Sequence, residues 1–121
     1  MQRILLCLFA FVLPSAEAEE LTGIHLLQHC TTAVKEFDGG QNMTPNELIR
    51  STACTAYVAG WRAAADYAAT THHGFACFDA NVDNSQLVRV LEKFLHDSPA
   101  ILNQRADTLI ALALIPSFSC K

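Results

Sequence analysis

Few side chains in this sequence could carry chemistry, and their spacing narrows what they could do. His25 and His29 stand four residues apart, a step that places two imidazoles on one helix face and can hold a metal. No glutamate accompanies them in an H-E-x-x-H pattern, so surface or half-buried histidines are the simpler expectation. His72 and His73 lie beside Gly74 and Asp79 in a stretch that reads as loop, where contact with a partner is expected rather than a metal. Ser51, Ser85, Ser98, Ser117 and Ser119 have no G-x-S-x-G setting. There is no phosphate-binding glycine loop and no paired-carboxylate motif. Arg62 and Asp66, also four apart, read as an exposed helix pair worth a few tenths of a kcal/mol. No catalytic residue, cofactor or metal is expected, and the chain is not expected to be an enzyme.

The cysteines suggest architecture instead. Five occur, and Cys7 falls in a leader: "MQR" is a short positive start, "ILLCLFAFVL" an apolar run, and "PSAEA" a breaker with small residues at Ala16 and Ala18. This predicts a secretory signal, residues 1–18, cut after Ala18; the apolar run is too short to span a membrane. The remainder, 19–121, has the size of one small domain. Cleavage removes Arg3 and Glu17, one charge of each sign, so the net charge stays at −4. With its positive residues scattered singly, such a chain suits neither nucleic acid nor anionic lipid, and its acidity would suit a basic protein partner. Cys30, Cys54, Cys77 and Cys120 remain, and an even number in a small exported domain argues for two disulfides. No C-x₂₋₄-C spacing supports zinc. Sequence alone permits three pairings.

Four helical segments must position these residues. The first, about 21–37, repeats apolar residues at Leu26, Leu27, Cys30, Ala33, Val34 and Phe37, and "DGGQN" ends it. "TPNE" opens the second with Thr44 as cap, Pro45 first inside and Glu47 completing a capping box; it runs to about Thr70. Its alanine-rich "ACTAYVAGWRAAADYAA" suggests that Ile49, Ala53, Tyr57, Gly60, Ala64 and Ala68 form a narrow packing face. That would place this helix at the centre, with close packing compensating Gly60. Trp61 is expected at an edge. "THHGFACFDANVDN" follows as a long surface loop. A third helix spans about 85–96, and a fourth begins at Ser98-Pro99 and stops before Pro116. No strand-like alternation occurs. The fold class is all-α, a small four-helix bundle-like domain stapled by two disulfides. A short loop between antiparallel first and second helices would bring Cys30 to Cys54, leaving Cys77 to tie the long loop to Cys120. That arrangement is favoured, with the other two still open. On the loop-entropy model the two spans are worth roughly 3.5 and 4 kcal/mol.

"LTGIHLLQHC", "CTAYVAGW", "CFD", "QLVRVLEKFLHDSPAILNQRADTLIALAL" and "SFSC" occur in an order that resembles the type VI secretion amidase immunity family, the Rap/Tai type. The resemblance covers nearly all of 19–121, and its most telling pieces are Cys54, Tyr57, Val58 and Gly60 and the run ending in Cys120. The chain departs from the family at Gly23-Ile24, Cys77-Phe78-Asp79 and Phe118-Ser119-Cys120, as a divergent member would. The resemblance implies a periplasmic helical protein with disulfides Cys30–Cys54 and Cys77–Cys120. It also implies a partner, a secreted cell-wall amidase effector whose active site the protein occludes to protect the producing cell. The candidate contacts are His72, His73, Phe75, Phe78 and Asp79, with "DGGQNMT" as a second surface. Phe75 and Phe78 could instead only pack under the loop. A homodimer is possible on this composition. Two other functions fit the scaffold: an envelope protein without a toxin partner, and an acid-stress chaperone, which five histidines could serve by charging as pH falls.

Overall fold

In the computed structural model, residues 19–121 are described, and the expected secretory signal at 1–18 lies outside them. Four α-helices follow in order: α1 Gly23–Phe37, α2 Pro45–Thr70, α3 Asn84–His96 and α4 Ala106–Leu114, with a 3₁₀ turn at Pro99–Ile101 before α4. The all-α expectation holds.

α1 starts without a side-chain cap. Its first free N–H groups are satisfied from a distance instead. Gly23 and Ile24 donate to the carbonyls of Gln104 and Leu102, at 2.9 and 3.0 Å, and Ala106 donates back to Leu21 at 2.8 Å. Such close backbone approach leaves no room at Gly23: a Cβ there would lie 2.9 Å from the Leu102 carbonyl oxygen. α1 then buries Leu26, Cys30 and Ala33.

α2 begins as its sequence predicts. Thr44 Oγ1 accepts from the Glu47 N–H at 3.2 Å, and the Thr44 N–H donates to Glu47 Oε2 at 2.8 Å. Lys35 Nζ donates to the other Glu47 oxygen at 2.8 Å and ties α1 to this cap. The buried face, however, is Ser51, Cys54, Val58 and Ala65, not the alanine-glycine face expected from the sequence. Ile49 is 66% exposed, Ala53, Gly60 and Ala64 are exposed, and Tyr57 and Ala68 are half-buried at the flanks. A Cβ on Gly60 would meet nothing within 4 Å, so close packing does not explain that glycine. Nor is α2 central: it packs on α1 and α3, whereas α1 and α3 each pack against all three other helices. The disulfide explains the orientation. Cys54 is bonded to Cys30 with 5.1 Å between Cα atoms, which turns the Cys54 face of α2 onto α1. An alanine-rich helix has too little contrast between its faces for periodicity to find that orientation.

α3 is capped by Asp83, whose Oδ1 accepts the Gln86 N–H at 2.8 Å, and it buries Leu87, Val88, Leu91 and Leu95. The fourth helix is shorter than expected. Leu102 and Gln104 turn their carbonyls to α1, and Arg105 is extended, so the chain breaks after the 3₁₀ turn and restarts at Ala106. α4 buries Ala106, Leu109, Ile110, Ala113 and Leu114. All these side chains join one core with α1 and α3. Beyond α4, Cys120 is bonded to Cys77, with Cα atoms 4.9 Å apart.

Candidate partner-binding surface

The connection 71–83 between α2 and α3 carries all five candidate contacts. It leaves α2 through Thr71 and His72, whose φ of +61° reverses the chain in the left-handed region, and the His73 N–H donates to the Ala68 carbonyl at 3.1 Å. Halfway along, Cys77 fixes the loop to the C-terminal segment twice, through the disulfide and through a 2.8 Å hydrogen bond from its N–H to the Phe118 carbonyl. At the far end the Val82 N–H donates to the Asp79 carbonyl, and the Arg62 guanidinium donates to the Val82 carbonyl.

Phe75 and Phe78 come together around Trp61. The Trp61 ring meets Phe75 edge-on at 5.3 Å between centroids and Phe78 at 6.2 Å. Phe78 also meets Phe118 at 5.1 Å, with the Arg62 guanidinium 5.4 Å above its ring. Phe78 is half-buried against the core, whereas Phe75 remains 38% exposed. His72, His73 and Asp79 are exposed. Asp79 lines an open groove of about 510 Å³ with Cys77, Val82, Ser117, Phe118, Ser119 and Lys121. The loop thus presents one aromatic edge, two imidazoles and a carboxylate on a covalently fixed frame.

Three residues at this surface escape a reading of the sequence. Trp61 is the platform under the loop, not only an edge residue. Arg62 is more than a partner for Asp66, which it meets at 3.7 Å, because it also holds the loop through Val82. Phe118 couples the C-terminus to Phe78. The grouping of aromatic residues beside Cys77 and Cys120 was the available signal.

The second candidate surface, 38–44, is held at its start by one ion pair. Asp38 bonds Arg89 of α3 at 2.8 Å, and Asn42 adopts a positive φ of 60°. The histidines of α1 sit elsewhere. Thr22 Oγ1 and His25 Nδ1 are 3.2 Å apart. Burial, helped by Arg50 and His25, lowers the pKa of His29. Among the described residues, no three His, Cys, Asp or Glu side chains are grouped to share a metal ion.

Four helices, two disulfides and a fixed, chemically mixed loop define a small stapled helical domain. A family profile described as Rap1a immunity proteins matches residues 22–120, and the chain belongs to that family. It is thus assigned to the immunity proteins, which bind a secreted effector and are usually inhibitors without enzymatic activity. No curated protein matches the sequence. Among the described residues no helix is long and apolar enough to cross a membrane.

Proposed function

We propose that this protein is a periplasmic immunity protein that binds a secreted peptidoglycan amidase and sterically blocks its active site, protecting the producing cell. The leader at 1–18 would carry it across the inner membrane and be removed, leaving 19–121 as the working domain. Within the family, the resemblance of its motifs to amidase-directed members supports the amidase as target. The observation that carries the mechanism is the fixed loop 71–83. Because Cys77 is bonded to Cys120, the loop has little ordering entropy left to lose when it docks. Phe75 is the anchor, with His72, His73 and Asp79 as polar neighbours, while Phe78 supports them from below. The net charge of −4 favours a basic groove. Capture by the tagged mature protein from the native periplasm at neutral pH, read by mass spectrometry, tests this. A cell-wall amidase in near-equal amount is expected, and blocked peptidoglycan cleavage by that amidase on adding the protein. A captured amidase that still cleaves at equimolar protein would overturn the inhibitory role.

The outer face of α2 favours a second partner, another copy of the chain. Ile49, Ala53, Ala56, Gly60, Ala63 and Tyr67 follow one another at spacings of 4-3-4-3-4, the seam of a two-helix coil, and read symmetrically about Val58. An antiparallel pair would set Ile49 against Tyr67 and Ala56 against Gly60, as a two-fold contact requires. Light scattering after gel filtration should give twice the chain mass for wild type and a monomer for Gly60→Glu. A monomeric wild type rejects the pairing.

A further inference from the structure

The two disulfides lie in opposite environments. Cys30 and Cys54 are completely buried inside the core between α1 and α2. No external thiol can reach them unless those helices separate, which removes most of the core. Cys77 and Cys120 are both exposed. Gly74 passes beside Cys120, whose Sγ would lie 3.2 Å from a Cβ at that position. Cys77, by contrast, lines the open groove of about 510 Å³, with the Lys121 side chain also on its wall. Among the described residues, the hydrogen bond from the Cys77 N–H to Phe118 is the one backbone hydrogen bond between the loop and the C-terminal segment. Phe78 also packs on Phe118 there.

We infer that Cys77–Cys120 is a site of thiol–disulfide exchange, opened by an external dithiol while Cys30–Cys54 stays closed, so that the loop can be released without unfolding the bundle. One thiolate of the dithiol attacks Cys77 Sγ from the groove, forming a mixed disulfide and breaking the bond to Cys120 Sγ. The electron pair leaves on Cys120, which takes a proton from solvent. The second thiol of the reductant, as its thiolate, then attacks its own sulfur in the mixed disulfide and releases Cys77. The products are a cyclic disulfide of the reductant and the protein dithiol, with two electrons transferred from reductant to protein.

The released loop keeps its anchors at Ala68 and Arg62 and the packing of Phe78, but loses the covalent link at its midpoint. On the reading of this loop as the effector contact, reduction would weaken binding at least tenfold; the exchange itself does not depend on that reading.

The test treats the mature, fully oxidised protein with graded dithiothreitol at pH 8 without denaturant, alkylates free thiols, and maps them by peptide mass spectrometry. Circular dichroism is recorded at the same points. Cys77 and Cys120 should be labelled at least tenfold faster than Cys30 and Cys54, with helix content unchanged. Amide exchange should rise only across 71–83 and 115–121. The doubly substituted Cys77→Ser/Cys120→Ser protein should fold with Cys30–Cys54 intact and show the same exchange pattern. Labelling of all four cysteines together, first labelling at Cys30 and Cys54, loss of helix with the first free thiols, or failure of the serine variant to fold would each overturn the inference. Undiminished effector binding after selective reduction would leave the exchange standing and reject the loop as the contact.

Discussion

Phe75 and Phe78 are three residues apart in one loop, yet the structure gives them different work. Phe78 is held by Trp61, Phe118 and Arg62, so Phe78→Ala should cost about 2–4 kcal/mol of stability in denaturant melts. Phe75 touches Trp61 by one edge and otherwise faces outward. Phe75→Ala should therefore cost less than about 1 kcal/mol of stability, while weakening partner binding about 30-fold if the ring is the anchor. Carboxylates at the starts of α2 and α4 contribute to acid behaviour. Hydrogen bonds from Lys35 and the Thr44 N–H hold Glu47 at a pKa of about 2, against an ordinary 4.5, and Arg105 similarly holds Asp107 at about 2, against 3.8. Both folded values lie below the unfolded ones. Their stabilisation is therefore complete above about pH 4.5 and is lost as pH falls toward 2. Thermal melts from pH 7 to 2 should show the main decline below pH 4.5, made shallower by Glu47→Gln. In the window above that, below pH 6.5, charging His29 adds a loss in the same direction, since its pKa is also lowered. An acid-stress chaperone would instead loosen and bind a hydrophobic dye in that upper window. The capping box was legible at this scale because it is local chemistry. Trp61 as a platform was not, because its partners, Phe75 and Phe78, both arrive from the loop.

At the scale of the helices, α2 is the instructive element. Its length and N-terminus follow directly from Thr44, Pro45 and Glu47, but its orientation does not follow from its alanines. The staple to Cys30 settles which face is buried, and most of the alanine-glycine face expected to pack is left outside. Gly60 is consequently a helix-interior glycine in open surroundings, so Gly60→Ala should raise monomer stability by about 1 kcal/mol in urea melts. A loss of stability would mean that another surface lies against it even in the monomer. α1 shows the converse dependence. Its start is capped by a segment some eighty residues away, and the same contacts break the expected long fourth helix at Leu102–Arg105. No reading of local signals could find a cap that distant. Gly23→Ala should cost about 1–3 kcal/mol, because the new methyl collides with the Leu102 carbonyl and overfills the contact with α4.

The whole molecule is a small bundle closed by two staples of unequal accessibility. Cys30–Cys54 fixes the core and Cys77–Cys120 fixes the surface on which the functional proposal rests. The pairing was legible in outline because short loops force antiparallel neighbours, and the family match over 22–120 agrees with the resemblance seen in the motifs. The candidate surface was legible only as a loop of suitable composition: which aromatic ring faces outward depends on packing around Trp61. The central claim is that this outward edge engages the effector. It is tested most directly by calorimetric titration of the captured amidase with the wild-type protein and with the Phe75→Ala/Asp79→Ala variant, both verified as folded. Binding at least 30-fold weaker for the variant is the predicted result, equivalent to about 2 kcal/mol. Affinity within about threefold of wild type would contradict it and move the contact to another face of the bundle.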